Sequence, residues 1–91
     1  MNKAELVEEV VGKVGLTKKE TSNVVDVMTS AITDTLAMNE RVTLVGFGTF
    51  EVRRRKARTG VNPQTRERLD IPAKNVVRFK AGKGLRERVG R

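Results

Sequence analysis

The side chains with chemistry to offer are concentrated in one stretch, RRRKARTGVNPQTRER, at positions 53–68. It holds seven cations and one acid, and apart from Pro63 its only apolar side chains of any size are Ala57 and Val61. Guanidinium and ammonium groups at that density suit the charge-assisted binding of anions. Catalysis needs a different set. The chain has no Cys, His, Tyr or Trp, which leaves carboxylates, hydroxyls and amines, and none of these are grouped as a nucleophile–base pair or a metal cluster. Neither an enzyme nor a metal- or cofactor-dependent protein is expected. Disulfides and thiolate zinc sites are excluded outright.

Charge is also divided along the chain. The net charge is +8, yet residues 1–40 hold 4 cations against 7 acids while residues 41–91 hold 15 against 4. Such asymmetry points to a polyanionic partner. A membrane surface fits poorly, because the basic stretch is not amphipathic and the helical half is acidic. Single-stranded nucleic acid normally requires aromatic stacking platforms, and none of the three Phe lies in the stretch. Duplex nucleic acid fits, since a cationic ribbon can follow a groove while Arg and Lys meet phosphates. The first ten residues, MNKAELVEEV, resemble neither a signal peptide nor a transit peptide. Uninterrupted apolar runs reach only two or three residues, far short of the ~20 that span a bilayer.

The elements that must position these cations can be read from period and punctuation. Asn2 and Glu5 form a capping-box-like pattern, and Leu6, Val7, Val10, Val11 and Val14 mark an apolar helical face that Gly15 ends. Thr17-Lys-Lys-Glu20 opens a second helix over about 18–38, with a stripe of Val24, Val25, Val27, Met28, Ala31, Ile32 and Leu36; the short joint folds the two as a hairpin. From Arg41 the period becomes two. Val42 and Leu44 precede Gly46-Phe47-Gly48, a tight turn, and Phe50 and Val52 follow it. Apolar alternation stops at 53 and returns at Leu69 and Ile71, then Val76, Val77 and Phe79. A turn signal, Gly60-Val61-Asn62-Pro63, falls near the midpoint of the gap. Residues 53–68 are therefore expected to form a projecting two-stranded arm, each limb reaching about 25–30 Å at ~3.3 Å per residue. Pro72 suits an exposed edge. Ala81 to Arg91 reads as a short helix with Leu85 and Val89 inward, weakened by Gly82 and Gly84 if both lie inside it.

The expected fold is thus α+β in one domain over 1–91: a helical part (1–40), a three-stranded antiparallel sheet (41–52 and 69–80), a long β-ribbon arm (53–68) and a C-terminal helix (81–91). About 75 residues outside the arm make a marginal core, so a partner chain is plausible on size alone.

Gly46-Phe47-Gly48-Thr49-Phe50, Arg55-Lys56-Ala57-Arg58 and Gly60-Val61-Asn62-Pro63-Gln64-Thr65 together resemble the signature of the bacterial HU / integration host factor family, and the likeness runs from MNKAEL to KAGKGL. The resemblance implies an intertwined dimer with Met28, Ile32, Leu36, Leu44, Phe47, Phe50 and Phe79 in or near the shared core. It implies two arms embracing one duplex through its minor groove. Arg53, Arg55 and Arg58 would line the inner path, Asn62 would help place the tip, and Lys3, Lys80, Lys83 and Arg86 would meet phosphates from the body. Insertion of Pro63 between base pairs is carried over from HU and integration host factor, for which such minor-groove wedges are established; the alternative for Pro63 is to rigidify a turn.

Position 61 is often basic in that family and is Val61 here, Arg54 stands where an acid is common, and Arg66 and Arg68 add charge to the returning limb. The function implied is a histone-like architectural protein that bends and compacts double-stranded DNA with little sequence preference, favouring bent, nicked or gapped sites. A sequence-selective bender of the integration-host-factor type and an RNA-binding basic protein are the alternatives. By the same resemblance the partner chain would be a second copy or a close paralogue, no membrane would be involved, and the location would be a bacterial cytoplasm and nucleoid or an organelle nucleoid.

Overall fold

Local signals at the helix ends decide the first two elements. The computed structural model describes residues 1–90, and Arg91, the last residue of the expected C-terminal helix, lies outside them. Helix α1 (Lys3–Val14) starts at Asn2, whose Oδ1 accepts from the Glu5 N–H at 2.9 Å, and ends at Gly15 in the left-handed region, φ 73°. Helix α2 (Lys18–Ala37) opens with a complete capping box. Glu20 Oε1 accepts from the Thr17 N–H at 3.0 Å, and Thr17 Oγ1 accepts from the Glu20 N–H at 3.1 Å. A cap of this kind stabilises a helix by about 1 kcal/mol. The Thr17 backbone and hydroxyl bonds hold the Glu20 carboxyl below the usual glutamate range.

The chain divides into two compact units, Met1–Thr35 and Leu36–Arg91. In the first, ion pairs join Lys3 to Asp26 and Glu8 to Lys18. The first residue of α1 thus meets the middle of α2, and Glu8, further along α1, meets the start of α2, so the helices run back on each other as a hairpin. Val7 and Val25 are buried, each contributing about 1.5–3 kcal/mol, together with Thr21, whose Oγ1 has no hydrogen-bond partner. Much of the expected stripe is open: Val24, Val27 and Met28 are 49–60% exposed, and Ile32 and Leu36 are only partly buried. A single chain leaves much of its apolar surface in solvent.

In the second unit, strands β1 (Val42–Leu44), β2 (Gly48–Arg55) and β5 (Lys74–Ala81) form an antiparallel sheet in the order β1-β2-β5. Strands β3 (Arg58–Val61) and β4 (Arg68–Ile71) form a separate two-stranded ribbon. Gly46 takes φ 84° in the turn between β1 and β2. Gly48 is needed for a different reason: a Cβ there would stand 2.5 Å from the Phe79 ring and 2.7 Å from the Lys80 carbonyl oxygen. The Phe79 ring packs on Phe50 and Phe47, at 4.9 and 5.5 Å between centroids.

The three-stranded ladder runs beyond residue 52, to the pair Arg55↔Lys74, and Leu69–Ile71 pair within the ribbon instead. Hydrogen bonding between backbones does not require the apolar side chains whose loss at 53 suggested a boundary. Only Lys56-Ala57 and Pro72-Ala73 separate the two ladders, and equal numbers on each limb mean that the register carries through without a bulge. Pro72 has no N–H to give to a ladder, which accounts for the interruption.

Helix α3 (Lys83–Val89) begins after Gly82, so only Gly84 of the two suspected glycines lies inside it. Its start is held by the β1–β2 turn: the Gly82 N–H donates to the Phe47 carbonyl at 2.7 Å and the Leu85 N–H to the Gly46 carbonyl at 3.1 Å. A Cβ on Gly84 would lie 2.8 Å from the Gly46 oxygen, so the two segments meet backbone to backbone.

Candidate nucleic-acid interface

Antiparallel partners share a face of the sheet, and alternate residues along a strand take opposite faces. The register therefore sorts the side chains of the second unit into two sets. One face carries Val42, Leu44, Phe50, Val52, Val77 and Phe79. The other carries Thr43, Thr49, Glu51, Arg53 and Arg55 opposite Lys80, Arg78, Val76 and Lys74. Five exposed cations thus stand on one surface, Arg53, Arg55, Lys74, Arg78 and Lys80. Its one acid, Glu51, is directly opposite Arg78 and 4.0 Å from it. Thr43 and Thr49 complete this polar face with a hydroxyl–hydroxyl hydrogen bond of 3.2 Å.

The same alternation separates the three consecutive arginines. Arg54 points to the apolar side, where its Nη1 donates to Asn75 Oδ1 at 3.4 Å. Lys74 and Arg78 belong with Arg53 but were not recognised from sequence, because the adjacent Val76 and Val77 conceal the alternation of β5: each valine belongs to a different face.

Beyond the interruption, Arg58 pairs with Ile71 and shares a ribbon face with Gly60 and Leu69, while Thr59 and Val61 share the other with Asp70 and Arg68. Strand β3 continues through Gly60 and Val61, so the turn falls two residues later than its sequence signal. Asn62 organises it. Its N–H donates to the Glu67 carbonyl at 2.9 Å, its carbonyl accepts from the Arg66 N–H at 2.7 Å, and its Oδ1 accepts from the Gln64 N–H at 2.9 Å. Pro63 follows at once, exposed, as the first residue of the turn. Asx turns of this kind let Asn mimic a backbone turn, so Asn62 fixes where the proline ring stands. Arg66, across the turn, has φ 59°, a conformation that costs a residue with a Cβ about 1–2 kcal/mol.

The remaining cations expected at the site lie elsewhere. Lys83 opens α3 with Glu87 at 3.9 Å, and Arg86 sits in the last turn of that helix. Lys80, on the cationic face, precedes that helix by three residues. Lys3 belongs to the other unit, where Asp26 engages it. Both of those ion pairs are largely exposed, and such pairs hold a lysine only weakly. Among the described residues no group of acids could hold a metal ion, and no helix is long and apolar enough to cross a membrane.

A cationic sheet face that continues into a proline-tipped ribbon, beside an apolar face left half open, defines a class: an arm-bearing binder of extended polyanions. Residues 1–90 match the model of the family described as bacterial DNA-binding protein. DNA-binding protein HU of Staphylococcus aureus is 51% identical over 89 residues, covering 98% of this chain and 99% of that protein. HU of Thermotoga maritima is 48% identical with the same coverage. Among solved structures, a cocrystal of Anabaena HU with DNA superposes with a TM-score of 0.92 at 48% identity, covering 98% of this chain and 97% of that one. The chain belongs to the bacterial DNA-binding protein family, that of HU.

Proposed function

We propose that this chain is a histone-like architectural protein that works as a dimer and bends double-stranded DNA with little sequence preference. The observation that carries the reading is the alignment of five cations on one sheet face, with an arm beyond it that ends in an exposed Pro63. Affinity comes mainly from counterions released as phosphates are neutralised. Selectivity comes from how cheaply a site deforms, because phosphate contacts carry no sequence information. Pro63 enters the minor groove at a kink, a mode already established for HU and integration host factor. Asn62 places it. Arg53, Arg55, Lys74, Arg78 and Lys80 follow the phosphates on one face, with Lys3, Arg58, Lys83 and Arg86 as further contacts.

The dimer follows from the uncovered apolar surface. Leu44, Phe47 and Phe79 are 40–47% exposed and Met28 is 49% exposed; Ile32, Leu36 and Phe50 are only partly buried. A second copy that covers these residues supplies the core that one chain lacks. The protein acts by shaping DNA and performs no reaction, and its place is the nucleoid of a cytoplasm.

The test is a titration of a short labelled duplex, intact and with a central nick or gap, across a salt series and with a scrambled sequence as control. Tighter binding to the interrupted duplex, indifference to scrambling and a steep loss with salt are expected. Pro63→Ala should erase the preference for interrupted DNA and leave the salt slope intact. A preference that survives that substitution would remove the wedge from the mechanism.

A further inference from the structure

We propose that Arg66 is a phosphate-binding residue of the arm tip, kept in a strained backbone conformation because it brings a cation to the turn that presents Pro63. Only two residues other than glycine have positive φ among the described residues, Asn39 and Arg66. Asn visits that region readily, since its short polar side chain can bond locally. Arg does not. Where left-handed geometry alone is required, the chain uses glycine, at Gly15 and Gly46. Glycine at 66 would form the same turn without strain, so what arginine adds is its side chain.

That side chain has no structural task. Within the described residues its guanidinium joins no hydrogen bond or ion pair, and the residue is exposed. Its backbone N–H, by contrast, is fastened to the Asn62 carbonyl at 2.7 Å, one residue before Pro63. A rigid anchor beneath a free cation is what a contact to the sugar–phosphate backbone flanking a kink requires. Strained residues persist at functional sites when their surroundings over-determine them, and here Asn62 does so. The neighbouring tip residue Val61 is 62% exposed and uncharged, so Arg66 is the cation nearest Pro63 in sequence.

The assignment rests on the DNA-binding reading, and the experiment separates the two. The dissociation constant of the full chain for a gapped duplex is measured against salt for wild type, Arg66→Gly, Arg66→Asn and Arg66→Lys, with thermal unfolding alongside. Each phosphate contact contributes about 0.9 to the slope of log K against log salt. The glycine and asparagine variants should lose about that much per engaged tip and, being relieved of strain, unfold at a higher temperature. The lysine variant should keep the wild-type slope. Neutral variants with the wild-type slope would overturn the assignment, even if their melting temperature rises. Wild-type binding that ignores salt would instead bring down the DNA-binding reading, and this one with it.

Discussion

The three consecutive arginines Arg53, Arg54 and Arg55 should behave unequally towards DNA, although composition treats them alike. The register places Arg53 and Arg55 on the face that carries Lys74, Arg78 and Lys80, and Arg54 on the face of Phe50 and Val52. On the proposed DNA-binding role, replacing Arg53 or Arg55 by Gln should remove one phosphate contact per chain and two per dimer. At about 0.9 per contact, the salt slope should fall by about 1.8. At about 0.1 M salt that corresponds to roughly 60-fold weaker binding, or about 2.5 kcal/mol at 1.4 kcal/mol per decade. Arg54→Gln forfeits only a 3.4 Å hydrogen bond to Asn75 in an exposed setting, worth at most about 0.5 kcal/mol of stability, and its slope should stay that of wild type. Fluorescence anisotropy with one labelled duplex over a salt series gives all three slopes, and circular dichroism confirms that each variant is folded. Equal losses at Arg53, Arg54 and Arg55 would refute the reasoning. They would mean that DNA senses the arm base as a rod of charge, with no face selected by the sheet.

Thr21 buries an Oγ1 with no partner, so Thr21→Val, which replaces the stranded hydroxyl with a methyl, should stabilise the fold by about 1 kcal/mol. Differential scanning calorimetry would then record a midpoint about 4–8 °C higher, whereas an unchanged or lower midpoint would mean that the hydroxyl finds a partner in the dimer. The α2 capping box predicts a pH effect of definite sign. Hydrogen bonds from Thr17 hold the folded Glu20 carboxyl below its unfolded value, so their contribution is complete above the ordinary glutamate range and is lost as pH falls through the depressed folded value. Acid unfolding of Glu20→Gln should accordingly be shallower than that of wild type across that window, and identical acid limbs would contradict the prediction.

The parts of this molecule that sequence discloses are those decided locally. Asn2, Gly15 and the Thr17–Glu20 pair each act within one turn of chain, and each does in the structure what its type and spacing suggest. Glu5 is the exception, since it receives the Asn2 cap without reaching back, and only half of that box forms. The turn at the arm tip is legible as Asn62-Pro63, whereas the Gly60-Val61 half of that signal belongs to strand β3. Gly60 suggested a bend, yet it serves as a gap in the ribbon face, where a Cβ would stand 3.3 Å from the Ile71 side chain. A glycine's use for space and its use for angle look the same in sequence.

What depends on pairing is different in kind. Which arginines face together is a property of register, and register is shared between strands that lie more than twenty residues apart in the chain, as Arg54 and Asn75 do. The apolar pattern ends at Val52, but the hydrogen-bonded ladder runs on to the pair Arg55↔Lys74. The interruption comes only where Pro72 withdraws its N–H, and the unbroken register across it keeps the two limbs in step while releasing two residues on each side from the sheet. The arm is thereby registered to the cationic face although the hydrogen-bonded ladder is interrupted between them. The strained Arg66 is the least legible feature, because no propensity would place an arginine in the left-handed region. Local preference is overridden there by the turn that Asn62 builds, which fixes the Arg66 N–H at 2.7 Å from the Asn62 carbonyl.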